Sequence, residues 1–296
     1  MWPLETILMV ISVSGWAFVG FSLLKQYRYA TQIFDMLRVF PIVVILSLVL
    51  FLIGIYNSFD IMVTILLTGV CGFIPCSIFL YYSLNWITDY NYTKFRKLLK
   101  VISSQGFALR SFEDYNNHRL ESDGVNVFIR HDVDISLKRT KKMAEIEKSL
   151  GIRSTYFFRL HAERYDFEEA VPIIRELSQA GFEIGLHYET LSVAAGDRGR
   201  AIELLIQDIG RLREIAPLVV VAAHGQKGYK NREIWEDVDK EKLEISSAYD
   251  MEYDLYLSDA GGKSLRDKNG NYLFDRIYEA KPGQIVQVLI HPDWWT

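Results

Sequence analysis

Val125–Asp134 (VNVFIRHDVD) is the stretch on which the fold turns. Its first six residues are mostly apolar and β-branched, which reads as a buried strand. The strand runs out into His131, Asp132, Val133 and Asp134. Onward from it, Ile135–Leu150 carries apolar residues at helical spacing and stops at Gly151. Thr155–Leu160 (TYFFRL) is a second strand, Phe167–Ala180 a helix stopping at Gly181, and Phe182–His187 (FEIGLH) a third strand. Arg198–Ile215 is a helix ending before Pro217, and Val219–His224 (VVVAAH) a fourth strand. Shorter strands are expected at Ile245–Ala248 and Leu255–Leu257, and Ile285–Ile290 (IVQVLI) closes the series. Apolar strands alternating with amphipathic helices imply an α/β fold with a parallel sheet covered by helices. About seven such strands predict a distorted (β/α) barrel, slightly smaller than the eight-stranded one, with its site at the strands' carboxyl ends.

The histidines agree with that rule. His131, His161, His187, His224 and His291 all fall at expected strand ends, and only His118 has no such context. Ser258 and Asp259 follow the sixth strand, and His291-Pro292-Asp293 the last.

The N-terminal region is different in kind. Residues 6–24, 39–56 and 61–86 carry no charge, and each is long enough to span a bilayer, which takes about 20 apolar residues. No Lys or Arg precedes the first run, so it does not read as a signal peptide. The expectation is a membrane domain over 1–90, with three transmembrane helices, followed by a catalytic domain over 91–296. Lys25, Arg28 and Arg38 lie between the first two runs, and Lys94, Arg96, Lys97 and Lys100 follow the third. With both basic segments on the cytoplasmic side, the N-terminus is outside and the catalytic domain cytoplasmic. The formal net charge of −4 gives no reason to expect a nucleic-acid partner. Cys71 and Cys76 are the only cysteines and lie within the third run, so the rest of the chain has no thiolate metal site or thiol nucleophile.

Asp132 and Asp134 are two apart, and on a strand residues i and i+2 point the same way. Two carboxylates near histidines suit a divalent metal, zinc first among them. Such a metal lowers the pKa of a water it holds to about 7. A carboxylate off the metal can serve as base, and a histidine on another strand as acid, which suffices for amide hydrolysis. Singly, each residue has a plainer reading: Asp134 as a helix cap, His187 and His224 as structural histidines, His291 as a turn residue.

Phe128–Asp134 (FIRHDVD) resembles the first motif of the polysaccharide deacetylase (NodB-like) family, where an Asp pair ends the first strand. Gly181–His187 (GFEIGLH) resembles the second, whose histidine binds metal, and Leu289–Pro292 (LIHP) the last, whose histidine is the general acid. Gly151–Arg159 resembles the family's second strand, and the likeness covers about residues 95–296 in order. It implies Asp132 as base, Asp134 and His187 as metal ligands, and His291 as acid, with Trp294 and Trp295 walling the acyl or sugar pocket or packing the C-terminus. The chain departs from the common pattern: Val133 separates the aspartates, Leu191 stands where a second histidine is usual, and Ala223-His224-Gly225 replaces an Arg-Pro motif. It is more similar to a bacterial subset with RHDVD, GLHYE, HG and HPxxW, in which His224 is the expected third ligand. The two aspartates can also exchange roles.

His161 and Glu189 are expected at the same end, as sugar-hydroxyl partners or structural groups, and His131 on the opposite face as structural. Asp259, with Gly261 and Gly262, orients a catalytic group or makes a turn. Lys227, Lys230 and Arg232 meet a phosphate or form a solvated loop. The leading expectation is a metal-dependent hydrolase removing an acetyl or formyl group from an amino sugar. Its partners are an N-acylated sugar, lipid-linked through a polyprenyl phosphate, and the lipid bilayer. The alternatives are a catalytically degenerate glycan-binding or scaffold module and a barrel amidohydrolase for a small non-sugar amide.

Overall fold

The computed structural model describes residues 89–259, 261–262 and 265–296. The expected spans at 6–24, 39–56 and 61–86 lie outside them; among the described residues no helix is long and apolar enough to cross a membrane. Tyr90–Gly261 and Leu265–Thr296 form one compact unit.

The described strands are β1 (Ala108–Leu109), β2 (Asn126–Val133), β3 (Thr155–Phe158), β4 (Glu183–Tyr188), β5 (Leu218–Ala223), β6 (Ser246–Ser247), β7 (Leu255–Ser258) and β8 (Ile285–Ile290). All pairings are parallel, in the order β6-β5-β4-β3-β2-β8-β7, with the short β1 also on β2. The main helices are α1 (Tyr92–Ser104), α2 (Phe112–Asn116), α3 (Leu137–Ser149), α4 (Phe167–Gln179), α5 (Thr190–Val193), α6 (Arg198–Arg213) and α7 (Lys240–Leu243). The result is α/β: a seven-strand parallel sheet forming an incomplete barrel. Across its interior, the Gln287 side-chain amide on β8 reaches the Ala248 carbonyl just past β6 at 3.5 Å.

Alternation along the strands sorts the side chains into two cores. Outward residues such as Val133, Tyr156, Ile184, Leu186 and Val221 pack under the helices, against Ala144 of α3, Ile174 of α4 and Leu205 of α6. Inward residues Phe128, Phe157, Val220 and Ala222 fill the barrel with Phe112 and Met251. Gly185 is set by this inner packing: Phe157 is its register partner, and a Cβ at 185 would overlap the Phe157 ring. Gly181 ends the turn after α4 at φ +86°, a conformation that side chains with a Cβ rarely adopt.

β2 runs three residues beyond the expected end at Arg130, because Arg130–Val133 continues the ladder against Thr155–Phe158. That places Asp132 within the strand and Asp134 one residue past it. Ser136 then caps α3, accepting from the Arg139 N–H.

Candidate metal and hydrolytic site

The structure brings Asp132, Asp134, His187, His224 and His291 together at the carboxyl end of the sheet. His187 Nε2 lies 3.5 Å from Asp134 Oδ1 and 3.4 Å from Asp132 Oδ2. His224 Nε2 lies 3.7 Å from Asp134 Oδ1, and His291 Nε2 4.0 Å from Asp134 Oδ2. One ligand atom from each of Asp134, His187 and His224 falls within 4.8 Å of the others, so this trio can hold a metal ion.

Its hydrogen bonding fits a cation. The His187 Nδ1–H donates to the Ala222 carbonyl at 3.1 Å, which leaves the Nε2 lone pair facing Asp134. Burial pulls the His187 pKa down to about 4, with Asp132 and Asp134 opposing, so the ring is neutral near pH 7. Asp134 Oδ1 is buried with no hydrogen-bond partner. The His187 Nε2 lone pair and the Asp134 Oδ1 thus face each other as two acceptors with no donor between them. A nitrogen-nitrogen-oxygen donor set of this kind suits zinc and similar divalent ions.

Asp132 stands to one side. Arg130 grips it through Nε–Oδ1 at 2.6 Å and Nη2–Oδ2 at 2.7 Å. Burial alone would raise its pKa, but the Arg130 guanidinium, helped by His187 and His291, holds it well below the usual carboxylate range. On the other side, Asp259 takes the His291 backbone N–H at 2.6 Å and faces its Nδ1 at 2.6 Å. Burial would lower the His291 pKa, yet Asp259, with Asp134 and Asp132, lifts it to about 10, leaving a protonated imidazolium with Nε2 toward the site. Asp259 also accepts the Gly261 backbone N–H at 3.4 Å, so it both holds the His291 ring and closes the turn that follows it.

Other expected site residues are placed differently. Glu189 is buried, gripped by Arg159 (Nε–Oε1 2.9 Å) and 3.4 Å from His224 Nδ1. It stands behind His224, with no surface for a sugar hydroxyl. His161 lies three residues past the end of β3 and turns to Asp208 of α6 at 2.9 Å, away from the cluster. Trp295 is fully buried among Tyr90, Phe95 and Phe274, and its Nε1–H reaches Asp259 at 3.3 Å; Trp294 is only 6% exposed. Packing the C-terminus, rather than walling a pocket, is what these positions allow. His131 points outward to Glu147 at 2.8 Å.

Three residues of the site have no counterpart in the sequence reading. Arg130 sits two before Asp132, so strand periodicity alone puts both on one face. Arg159 anchors Glu189 from β3's end. The Asp293 carboxylate accepts the backbone N–H groups of Asp134 and Ile135, each at 3.1 Å, and of Ser136, which fixes the turn carrying Asp134.

No family model matches the chain, and no curated relative does. Among solved structures, similar ones include a CE4 esterase from Streptococcus mutans, at 16% identity over 64% of this chain and 82% of that one, TM-score 0.43. A peptidoglycan deacetylase from Bacillus subtilis matches at 15% identity over 56% and 74%, TM-score 0.40. A CE4 family pseudoenzyme from Bacillus anthracis matches at 15% identity over 58% of this chain, TM-score 0.39; the chain spans 55% of that protein.

Proposed function

We propose that the protein is a metal-dependent deacylase that hydrolyses the N-acetyl or N-formyl amide of an amino sugar. The observation that carries this reading is the trio Asp134, His187 and His224 flanked by an Arg-held carboxylate and an Asp-held imidazolium. The motif resemblance at Phe128–Asp134, Gly181–His187 and Leu289–Pro292 supports the same chemistry.

Asp134, His187 and His224 would hold the metal, zinc by preference, and the Glu189 carboxylate, 3.4 Å behind His224 Nδ1, would orient that ring once the two close to a hydrogen bond. When bound, the ion supplies Lewis acidity to the amide carbonyl and acidity to the attacking water. Asp132 receives the water's proton. Arg130 lowers its basicity, so the transfer depends on the water having first been made acidic. His291 delivers its Nε2 proton to the departing amine, and Asp259 keeps it charged and aimed.

The membrane setting extends the proposal. Three uncharged runs before residue 90 would hold the enzyme at a bilayer, with the barrel cytoplasmic by the distribution of Lys and Arg. A sugar carried on a polyprenyl phosphate suits an enzyme so held. A reporter fused after Thr296 that signals only from the outer side would overturn that orientation.

The test of function is release of acetate or formate from N-acyl amino sugars by zinc-supplemented full-length protein. Release by the wild type, and release slowed by about a hundredfold or more in Asp132→Asn and His291→Ala, is expected. Metal-loaded protein that cleaves none of them would leave a glycan-binding module as the better account.

A further inference from the structure

A cavity of about 440 Å³ opens beside the site, with His224 and Ala223 on one wall and the segment around Tyr229–Glu236 on the other. Its charges are unevenly matched. Lys230 pairs with Glu233 at 2.8 Å, and Glu236 with Lys240 at 3.9 Å. Arg232 also lines the cavity, and among the described residues its guanidinium has no carboxylate partner. It lies over the Tyr249 ring, 4.5 Å from the centroid. Stacking holds the guanidinium plane while its N–H edge stays open for a planar or tetrahedral anion. Tyr249 is fixed in turn: its hydroxyl donates to the Ala223 carbonyl at 3.0 Å and accepts from Arg130 Nη2 at 3.4 Å. The stacking platform is therefore tied to the arginine that holds Asp132.

We infer that Arg232 binds an anionic substituent, a phosphate or carboxylate, on the sugar whose amide reacts at the neighbouring metal trio. The inference rests on the deacylase reading for what happens at the amide, but not for the binding of the anion. At a cavity that His224 also lines, the Arg232 guanidinium offers charge-assisted hydrogen bonds to an anionic substituent. Arg232 is exposed, so a neutral sugar leaves its guanidinium to water and forgoes those charge-assisted hydrogen bonds, which makes it the weaker substrate.

The experiment uses full-length protein in detergent, supplemented with zinc, as wild type, Arg232→Gln and Arg232→Lys. Inorganic phosphate is titrated calorimetrically into each. Arg232→Gln should bind it about tenfold to a hundredfold more weakly, as expected for losing a hydrogen bond to a charged group, with Arg232→Lys in between. Equal affinity in wild type and Arg232→Gln, or no binding by the wild type, overturns the assignment. Hydrolysis is then compared for N-acetylglucosamine 1-phosphate, an N-acetylated aminouronic acid and a neutral N-acetylglucosamine oligomer. A preference for one anionic substrate, lost in Arg232→Gln, identifies which anion the subsite serves, and equal use of all three by the wild type contradicts it. Hydrolysis of none, with phosphate binding still dependent on Arg232, sinks the deacylase and leaves the anion subsite standing.

Discussion

Strand β2 has two faces, and the same five residues, Arg130–Asp134, build something different on each. Outward, His131 meets Glu147, whose other oxygen takes the Ser154 hydroxyl at 2.8 Å and the Tyr156 hydroxyl at 2.7 Å. Inward, Asp132 is held by Arg130, while Asp134 faces two imidazole nitrogens and keeps a buried oxygen without a hydrogen-bond partner. Both faces bury a histidine beside a carboxylate. On the outer face three donors serve one carboxylate; on the inner face acceptors outnumber donors. The outer face leaves over one ring nitrogen, His131 Nδ1, whereas the inner face leaves over a carboxylate oxygen, and it is the excess of negative charge there that a cation would correct.

The contrast can be broken by mutation. Asp132→Asn and His291→Ala should each lower kcat by about a hundredfold to ten-thousandfold, the usual range for losing a general base or acid, while the folded protein keeps its metal. Steady-state kinetics beside metal analysis would check this. On the outer face, Glu147→Ala strands three buried donors and should cost roughly 3–5 kcal/mol of stability in denaturant unfolding. Metal content should be unchanged, and a loss of metal in that variant would erase the distinction between the faces.

Glu189→Gln should weaken metal binding by about tenfold to a hundredfold, the range for groups that orient ligands, measured by competition with a chelator. If Glu189 instead bound sugar, KM would rise with metal affinity intact. The pH dependence is the finest probe. His291 keeps its proton up to about 10, so its pairing with Asp259 stabilises fully below an unfolded value of about 6.5. That stability is lost as pH rises toward 10, and activity needing the imidazolium falls along the same limb. Asp259→Asn should draw the basic limb of kcat/KM down toward the ordinary imidazole value. A limb that stays in place would remove Asp259 from its orienting role.

Much of this was legible from local sequence because parallel strands flanked by helices put their chemistry at one end. VNVFIRHDVD, FEIGLH and IVQVLI each announce a strand, and the residue at or near its end belongs to the candidate site. What stayed hidden depends on pairing between distant segments. His291 finds Asp259 because β7 and β8 align Ser258 with Leu289, a register that no local pattern states. Glu189 sits at a strand end like the ligands, yet Arg159 from the neighbouring strand draws it behind His224. Trp295 reads equally as wall or packing until Tyr90, Phe95 and Phe274 close around it. Helix α1 carries Phe95, Leu98, Leu99 and Ile102 at amphipathic spacing, but its lysines and arginine read first as a segment beside a membrane.

The central claim is that the inner face is a metal site. Its most direct test is metal content of the detergent-purified protein, beside Asp134→Ala, His187→Ala and His224→Ala. About one zinc or similar ion per chain, lost in all three variants, is the expected result for a three-ligand site. No bound metal after supplementation would contradict it, and metal retained in His224→Ala alone would remove the third ligand.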